Sequence, residues 1–168
     1  MQSTIIDVDI EEVTFGSSEN QYLLFYVGNV LYAIEALKAN EIVEYSEVTK
    51  VPMSQSCVKG VTNIRGNIVP VIDLLERFKL GSTAVNAKTS VVVINHEDAT
   101  EKMQIGVMID EVYEVDDIDE TNIIEAPAFG SKIDTRFILN MGKYNNEYIP
   151  ILNTNTILNI GELSQLAI

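Results

Sequence analysis

The stretch Gly60–Leu74, GVTNIRGNIVPVIDL, indicates the local structure that decides the fold. Two short apolar runs flank Arg65-Gly66-Asn67, and a Gly-Asn pair between such runs is typical of a tight β-hairpin turn, so we expect the chain to turn at Gly66-Asn67. The hairpin would carry one cation, Arg65, at its tip.

The second apolar run predicts a strand that leads directly into a helix. Pro70 stands in the middle of the run, and because proline cannot donate to a sheet ladder, we expect a bent or edge strand there. Asp73 ends the run and is positioned to cap a helix, with Glu76 as its capping-box partner.

The chain contains a degenerate internal repeat. The run Ile68–Asp73, IVPVID, matches Tyr148–Asn153, YIPILN, and a hairpin precedes each run, the second turning near Asn145-Asn146. Further matches keep the same order, and they pair Gln21–Val27 with Ser90–His96, Tyr32–Ile34 with Ile105–Val107, and Glu41–Tyr45 with Glu111–Val115. Each copy therefore predicts about five short strands and a terminal helix, Leu74–Phe78 in one copy and Asn155–Ile160 in the other.

Five short strands bent at Pro and Gly favour a small barrel over a flat sheet. A barrel of this size is marginal alone, so we expect the two copies to share a core. The sequence thus divides into an acidic, mobile tail over 1–20, a first half over about 21–78, a second half over about 90–160, and an end segment over 161–168. The linker between the halves is expected at Lys79–Lys88, which is small, polar and aperiodic.

The net charge of −14 is concentrated in two segments of the 168-residue chain. Residues 1–20 hold five acidic residues and residues 110–125 hold eight, with no Lys or Arg in either segment. Both are expected to be solvated, and both would repel nucleic acid phosphates. The start of the chain lacks the basic and apolar regions of a signal peptide, no apolar run reaches the length of a membrane span, and one cysteine cannot form an internal disulfide; we therefore expect a cytoplasmic protein.

Candidate catalytic and metal sites are weak in this sequence. His96 is the one histidine, and we expect it at a strand end; Cys57 is expected to be a buried or half-buried small residue. The run Asp116–Glu120 lacks the central glycine and ligand spacing of a calcium loop, and Asn67 stands where a phosphate-binding loop would need lysine. We therefore expect no enzyme activity, no cofactor and no metal, which leaves recognition by barrel edges and grooves.

These motifs resemble those of the CheW domain, the coupling module of bacterial chemotaxis. The resemblance lies in Asn63–Gly66 followed by Val69–Leu74, and extends over about 20–160. It implies a mainly β fold of two five-stranded SH3-like β-barrels packed side by side, with short helices at the end of each half. It also implies two partners: the regulatory domain of a CheA-type histidine kinase, joined barrel end to barrel end, and the cytoplasmic tip of chemoreceptors, bound between the barrels at the inner face of the membrane without membrane insertion.

The resemblance also implies which residues contact each partner. The receptor-binding positions would be Arg65, Gly60, Gly106, Val112 and Val115, and the kinase-binding positions would be Ala39 and Glu41. Ala39 departs from the Val that is frequent in the family. Read without the resemblance, the two glycines would serve turns or bulges and the two valines would pack in the core.

Two alternatives remain open at this stage. One is a CheW-like adaptor of another pathway, either surface motility or a fragment of the receiver-linked relative CheV. The other is a small-ligand or catalytic barrel that uses His96, Cys57 or the acidic segment.

Overall fold

The computed structural model describes residues 19–97, 102–128 and 130–164, so most of the predicted acidic tail and the last four residues of the chain lie outside the described part. Eleven strands are formed within it: β1 (Gln21–Val27), β2 (Val30–Glu35), β3 (Ala39–Glu44), β4 (Val58–Ile64), β5 (Asn67–Asp73), β6 (Ser90–Glu97), β7 (Lys102–Ile109), β8 (Glu111–Asp117), β9 (Ile123–Ile124), β10 (Ile138–Tyr144) and β11 (Glu147–Leu152). The helices are α1 (Leu74–Arg77), α2 (Thr154–Ile157) and α3 (Ile160–Leu163), and short 3-10 turns cover Ala36–Lys38, Glu120–Asn122 and Thr135–Phe137. No helix in the described ranges is long and apolar enough to span a membrane.

The strands form two sheets, and each sheet takes strands from both halves of the sequence. The first sheet has the order β8-β1-β2-β11-β10-β9, and the second has the order β3-β6-β7-β5-β4. The expected mainly β fold of two units is confirmed, but the first sheet has six strands instead of five. The sixth is β9, which pairs with Gly142 and Met141 of β10; in the second sheet, Thr49 makes only a single bridge to Val61.

The strand pairing repeats as the sequence does. In the second sheet β7 pairs antiparallel with β6 and parallel with β5; in the first sheet β2 pairs antiparallel with β1 and parallel with β11. In each sheet the residue after the mid-strand proline makes the equivalent pair: Val71 lies opposite Gly106, and Ile151 lies opposite Ala33. The predicted match of Tyr32–Ile34 with Ile105–Val107 therefore holds in three dimensions.

One predicted match is wrong by three residues. Glu41 lies opposite Val93, and the residue equivalent to Val93 in the first sheet is Leu24, which lies opposite Glu114. The structural counterpart of Glu41 is therefore Glu114 and not Glu111. The register shifts at a bulge in each of the two strand pairs, and each strand carries two glutamates three residues apart, so the sequence pattern alone permits a slip of three.

The apolar runs of β1 and β6 are explained by burial on both faces. Along β6, Val92 and Ile94 point into a large core shared by the two sheets, whereas Val91 and Val93 point into a smaller core inside the second sheet. Along β1, Leu23 faces the shared core while Leu24 faces the equivalent small core of the first sheet. Since successive side chains of a strand point to opposite faces, a strand between two cores must be apolar throughout.

The hairpin turns one residue earlier than predicted. Arg65 and Gly66 occupy the turn with φ of 52° and 85°, and Asn67 already belongs to β5. Positive φ at both central residues is the geometry of a type I′ turn, which matches the twist of the flanking strands. Asn145 and Asn146 occupy the equivalent turn with φ of 49° and 64°.

Of the two alternatives predicted at Pro70, a bent or an edge strand, the edge strand is wrong for β5 as a whole, because β5 lies between β7 and β4. Pro70 pairs with Val61 of β4, but the ladder to β7 begins only at Val71. At Pro70 the β7 side of the strand is therefore open, which is where a residue without an N–H is tolerated.

Helix capping is confirmed in part. Asp73 caps α1 by accepting from Leu75 N at 3.0 Å. The same carboxylate also holds the linker, because Thr83 N and Thr83 Oγ1 donate to it at 2.8 and 2.7 Å. The capping-box partner is wrong, since Glu76 instead accepts from Lys59. The predicted second helix is interrupted, because Asn159 starts a new N-cap after α2.

Candidate functional site

The hairpin tip of the second sheet brings together two residues that the family resemblance assigned to different partners. Arg65 Nε donates to Glu41 Oε2 at 2.8 Å, so an ion pair joins the β4–β5 turn to β3. The Arg65 side chain is 78% exposed and the Glu41 side chain 19% exposed. One member of the pair is thus available to a partner while the other is held against the strand.

Local geometry fixes the Arg65 backbone. Asn63 Oδ1 accepts from Gly66 N at 2.9 Å, which closes the turn across its base. A cavity of ≈ 340 Å³ lies beside Arg65 in the second sheet. Polar and apolar side chains line it together, among them Asn63, Glu44, Val71 and Val91.

The two predicted receptor-site glycines are buried. Gly60 has φ of 148°, and a Cβ there would lie 2.2 Å from the Thr49 carbonyl oxygen. Gly106 lies between strands, where a Cβ would lie 2.7 Å from Val91 Cγ1. Both positions require glycine because neighbouring backbone or side-chain atoms occupy the space. Both glycines are buried, so they support the packing of the sheet and present no side chain to a partner.

The remaining predicted contact residues lie in or against the shared core. Ala39 and Val112 are buried, and Val115 is partly buried against the same core. Ala39 is the first residue of β3, two positions before Glu41, so its packing fixes the strand that carries the ion pair. Any effect of Ala39 or Val112 on a partner must pass through the position of β3 or β8.

Sequence reasoning missed an apolar groove of ≈ 280 Å³ between the second sheet and α3. It is lined by the loop 51–54, by strands β4, β5 and β7, and by Ile160 and Leu163 of α3. Met53 is 62% exposed at its rim, with φ of 60°. The one available signal was the apolar run Val51-Pro52-Met53 in the loop before β4; the contribution of α3 is a long-range contact that local patterns do not contain.

Comparisons with known proteins agree with this geometry. The family model described as CheW-like domain matches residues 21–162. The chain belongs to the CheW family. It is 30% identical to the chemotaxis protein CheW of Klebsiella aerogenes over 86% of this chain and 84% of that protein, and 33% identical to the chemotaxis protein CheW of Helicobacter pylori over 82% and 81%. Among solved structures, the scaffolding protein TtCheW of Thermoanaerobacter tengcongensis aligns with a TM-score of 0.75 and 26% identity, covering 86% of this chain and 90% of that one.

Two residues considered for catalysis, His96 and Cys57, are buried in this CheW-family chain. His96 is buried at 3% exposure near the end of β6, and Cys57 is buried at 7%, where desolvation raises the pKa of its thiol. Within 19–97, 102–128 and 130–164, no three His, Cys, Asp or Glu residues are grouped so that they could hold a metal ion.

The acidic side chains of the segment 110–125 are largely exposed, as predicted, and several of them lie on a strand. Glu111–Asp117 forms β8, and Asp119 caps the following 3-10 turn by accepting from Thr121 N. Asp110 is drawn back to the body of the protein, where it accepts from Gly28 N at 2.8 Å. The acidic side chains of β8 thus belong to an edge strand of the first sheet, where charge opposes pairing with another chain.

Proposed function

We propose that this chain is a chemotaxis coupling scaffold that joins the cytoplasmic tip of chemoreceptors to the regulatory domain of a CheA-type histidine kinase. It would act without catalysis, by holding both partners in a fixed geometry beneath the membrane. The observation that carries the proposal is the Arg65–Glu41 ion pair, which connects a predicted receptor contact directly to a predicted kinase contact. Membership of the CheW family supports the same role.

The ion pair suggests how one contact affects the other. An exposed pair of this kind stabilises by only about 0.2–1 kcal/mol, so a partner that binds the exposed Arg65 guanidinium can release it at small cost. Glu41, which is mostly covered, would then be left without its cation at the start of the kinase-facing strand. Receptor and kinase would therefore compete for, or share, one charge pair, and a shift of the receptor would change the position of β3.

The buried predicted residues support this arrangement. Gly60 allows β4 to approach Thr49, and Gly106 allows β7 to pack beside β6 and β5, which together fix the sheet that carries the hairpin. Val112 and Val115 would hold β8 against the shared core in the same way. We propose that these residues act by position, and Arg65 and Glu41 by direct contact.

Kinase autophosphorylation tests the proposal. The purified chain is mixed with a CheA-type kinase and receptor-bearing membranes, and phosphate incorporation is measured with and without attractant. We expect stimulation that depends on the chain and is suppressed by attractant. An absence of stimulation, with kinase and membranes shown to be competent with another coupling protein, would contradict the scaffold role.

Charge reversal then tests the ion pair. Arg65→Glu and Glu41→Arg should each lower coupling, and the double variant, which restores an opposite pair, should recover part of it. Lys88→Glu is the matched control, because Lys88 is 73% exposed and also takes part in one surface ion pair, to Glu111 at 3.7 Å. If the double variant is no better than the single variants while all remain folded, the two residues act separately and the linked mechanism is wrong.

A further inference from the structure

Three tyrosines and two carboxylates form a patch at the β8 side of the first sheet, here called the aromatic–acidic patch: Tyr26, Tyr113, Tyr144, Glu114 and Asp116. The Tyr113 ring lies 5.8 Å from the Tyr26 ring and 6.4 Å from the Tyr144 ring, at 86° to each. The Tyr144 hydroxyl lies 2.8 Å from Glu114 Oε1 and 3.0 Å from Asp116 Oδ2. Aromatic rings and carboxylates therefore converge on one surface.

The backbone displays Tyr113 to solvent. The β1–β8 pairing passes from Val112 opposite Phe25 to Glu114 opposite Leu24, which leaves Tyr113 as the extra residue of a bulge. Tyr113 is 43% exposed, and among the strands that the structure describes β8 stands at the edge of the first sheet.

Few donors reach the carboxylates of the patch among the residues that the structure describes: Asp116 Oδ1 accepts from Asp117 N at 2.8 Å, and the Tyr144 hydroxyl lies beside both carboxylates. A phenol has one proton, so the Tyr144 hydroxyl can donate to Glu114 or to Asp116 but not to both at once. Neither carboxylate has an ion pair with Lys or Arg among the residues that the structure describes. The ion pair of β8 lies at its first residue, where Lys88 Nζ is 3.7 Å from Glu111 Oε2.

The internal repeat shows where the first sheet lacks the cation that the second sheet has. Glu114 is the counterpart of Glu41, and Asn145 stands in the turn where the other half has Arg65. In the second sheet this glutamate is neutralised by an arginine of the same chain. In the first sheet the chain supplies a neutral asparagine at that position, together with an additional carboxylate and an exposed ring.

We propose that the aromatic–acidic patch binds an arginine-bearing segment of a partner protein. A guanidinium is planar, stacks on aromatic rings and carries five donors, which suits two carboxylates beside a tyrosine face better than the point charge of an ammonium does. Charge complementarity supports this occupant, because Glu114 and Asp116 form no ion pair with a Lys or Arg of the described residues. The proposal is independent of the role of Arg65 and goes beyond the coupling function.

NMR titration of the full ¹⁵N-labelled chain tests the proposal. The probe is the acetylated dipeptide amide Arg-Arg, and the control probe is the same peptide with citrulline, which keeps the shape and removes the charge. We expect saturable shifts of backbone amides centred on residues 113–116 and 144 with the arginine peptide, weakened by added salt, and none with citrulline.

Variants decide between the patch and a general attraction to an acidic protein. The pair Glu114→Gln with Asp116→Asn should weaken binding about fivefold or more, and Tyr113→Leu about two- to fivefold. Glu47→Gln, an exposed acid on the other sheet's side of the chain, and Tyr148→Leu, an exposed tyrosine outside the patch, should leave the affinity unchanged. Shifts that rise without saturation, equal binding of the citrulline peptide, or equal losses in the control variants would each overturn the proposal; dispersed spectra confirm that every variant is folded.

Discussion

Replacement of Asp73 by alanine should cost far more stability than the same change at its structural counterpart, Asn153. Asp73 is fully buried, and its carboxylate accepts three hydrogen bonds, from Leu75 N at 3.0 Å, Thr83 N at 2.8 Å and Thr83 Oγ1 at 2.7 Å. Asn153 is half-buried and accepts one, from Thr156 N at 3.2 Å.

The magnitudes follow from the number and kind of bonds lost. Loss of an N-cap costs about 1 kcal/mol, which is the expected effect of Asn153→Ala. Asp73→Ala loses a cap and also two bonds to a charged acceptor, each of about 1.5–3 kcal/mol before allowance for non-additivity. We therefore expect Asp73→Ala to lower the free energy of unfolding by about 4 kcal/mol, roughly 3 kcal/mol more than Asn153→Ala.

Urea unfolding followed by circular dichroism measures both variants under one condition. Thr83→Val is the third variant, since it removes the hydroxyl donor and keeps the backbone N–H, and it should cost about 1–2 kcal/mol. Losses that agree within about 1 kcal/mol between Asp73→Ala and Asn153→Ala would refute the reasoning, because they would show that the bonds from Thr83 contribute nothing.

Three further predictions concern backbone space, pH and the C-terminal helices. Gly60→Val should lower the free energy of unfolding by about 3 kcal/mol or more in urea titrations, because its Cβ would lie 2.2 Å from the Thr49 carbonyl oxygen. Gly66→Ala has open space around its Cβ but φ of 85°, so it should lower the free energy of unfolding by only about 1 kcal/mol. Equal losses in the two variants would argue against the clash at Gly60. Burial raises the pKa of the Cys57 thiol, so the folded state holds the thiol proton more tightly than the unfolded state does. The contribution of Cys57 to the free energy of unfolding should therefore be fully present below the unfolded pKa and be lost as the pH rises through the folded pKa. The free energy of unfolding of Cys57→Ala should decline less steeply between about pH 7 and 10, and parallel curves for the two proteins would contradict this. Arg77→Met removes donors to two carbonyls at the end of α2 and a contact with α3, so amide hydrogen exchange should accelerate in residues 154–163 and not in β6; uniform acceleration would indicate global destabilisation instead.

Local chemistry explains what the sequence could predict. The caps at Asp73 and Asn153, the positive-φ turns and the mid-strand prolines each depend on residues within a few positions of one another, and the repeat doubled the signal for each. The error at the hairpin turn was a single residue, because Arg-Gly and Gly-Asn both offer a residue that tolerates positive φ.

Long-range pairing explains what the sequence could not predict. Nothing local indicates that β3 joins β6, or that the hairpin tip at Arg65 reaches Glu41, since those contacts depend on the exchange of strands between the halves. The family resemblance named both residues but assigned them to different partners. The groove under α3 and the Tyr144 contact with β8 were missed for the same reason: each joins segments more than 25 positions apart.

The exchange of strands sets an order in which the chain can fold during its synthesis. The second sheet is built entirely from the contiguous segment 39–109, whereas the first sheet joins residues 21–35 to partners that end at residue 152. At about 5–20 residues per second, β1 and β2 would leave the ribosome roughly 6 to 24 s before β11 arrives. During that interval β1 and β2 have apolar faces but lack their neighbours β8 and β11. The strands that are synthesised first are therefore the last to be covered. They are the part of the sheet most in need of protection by a chaperone.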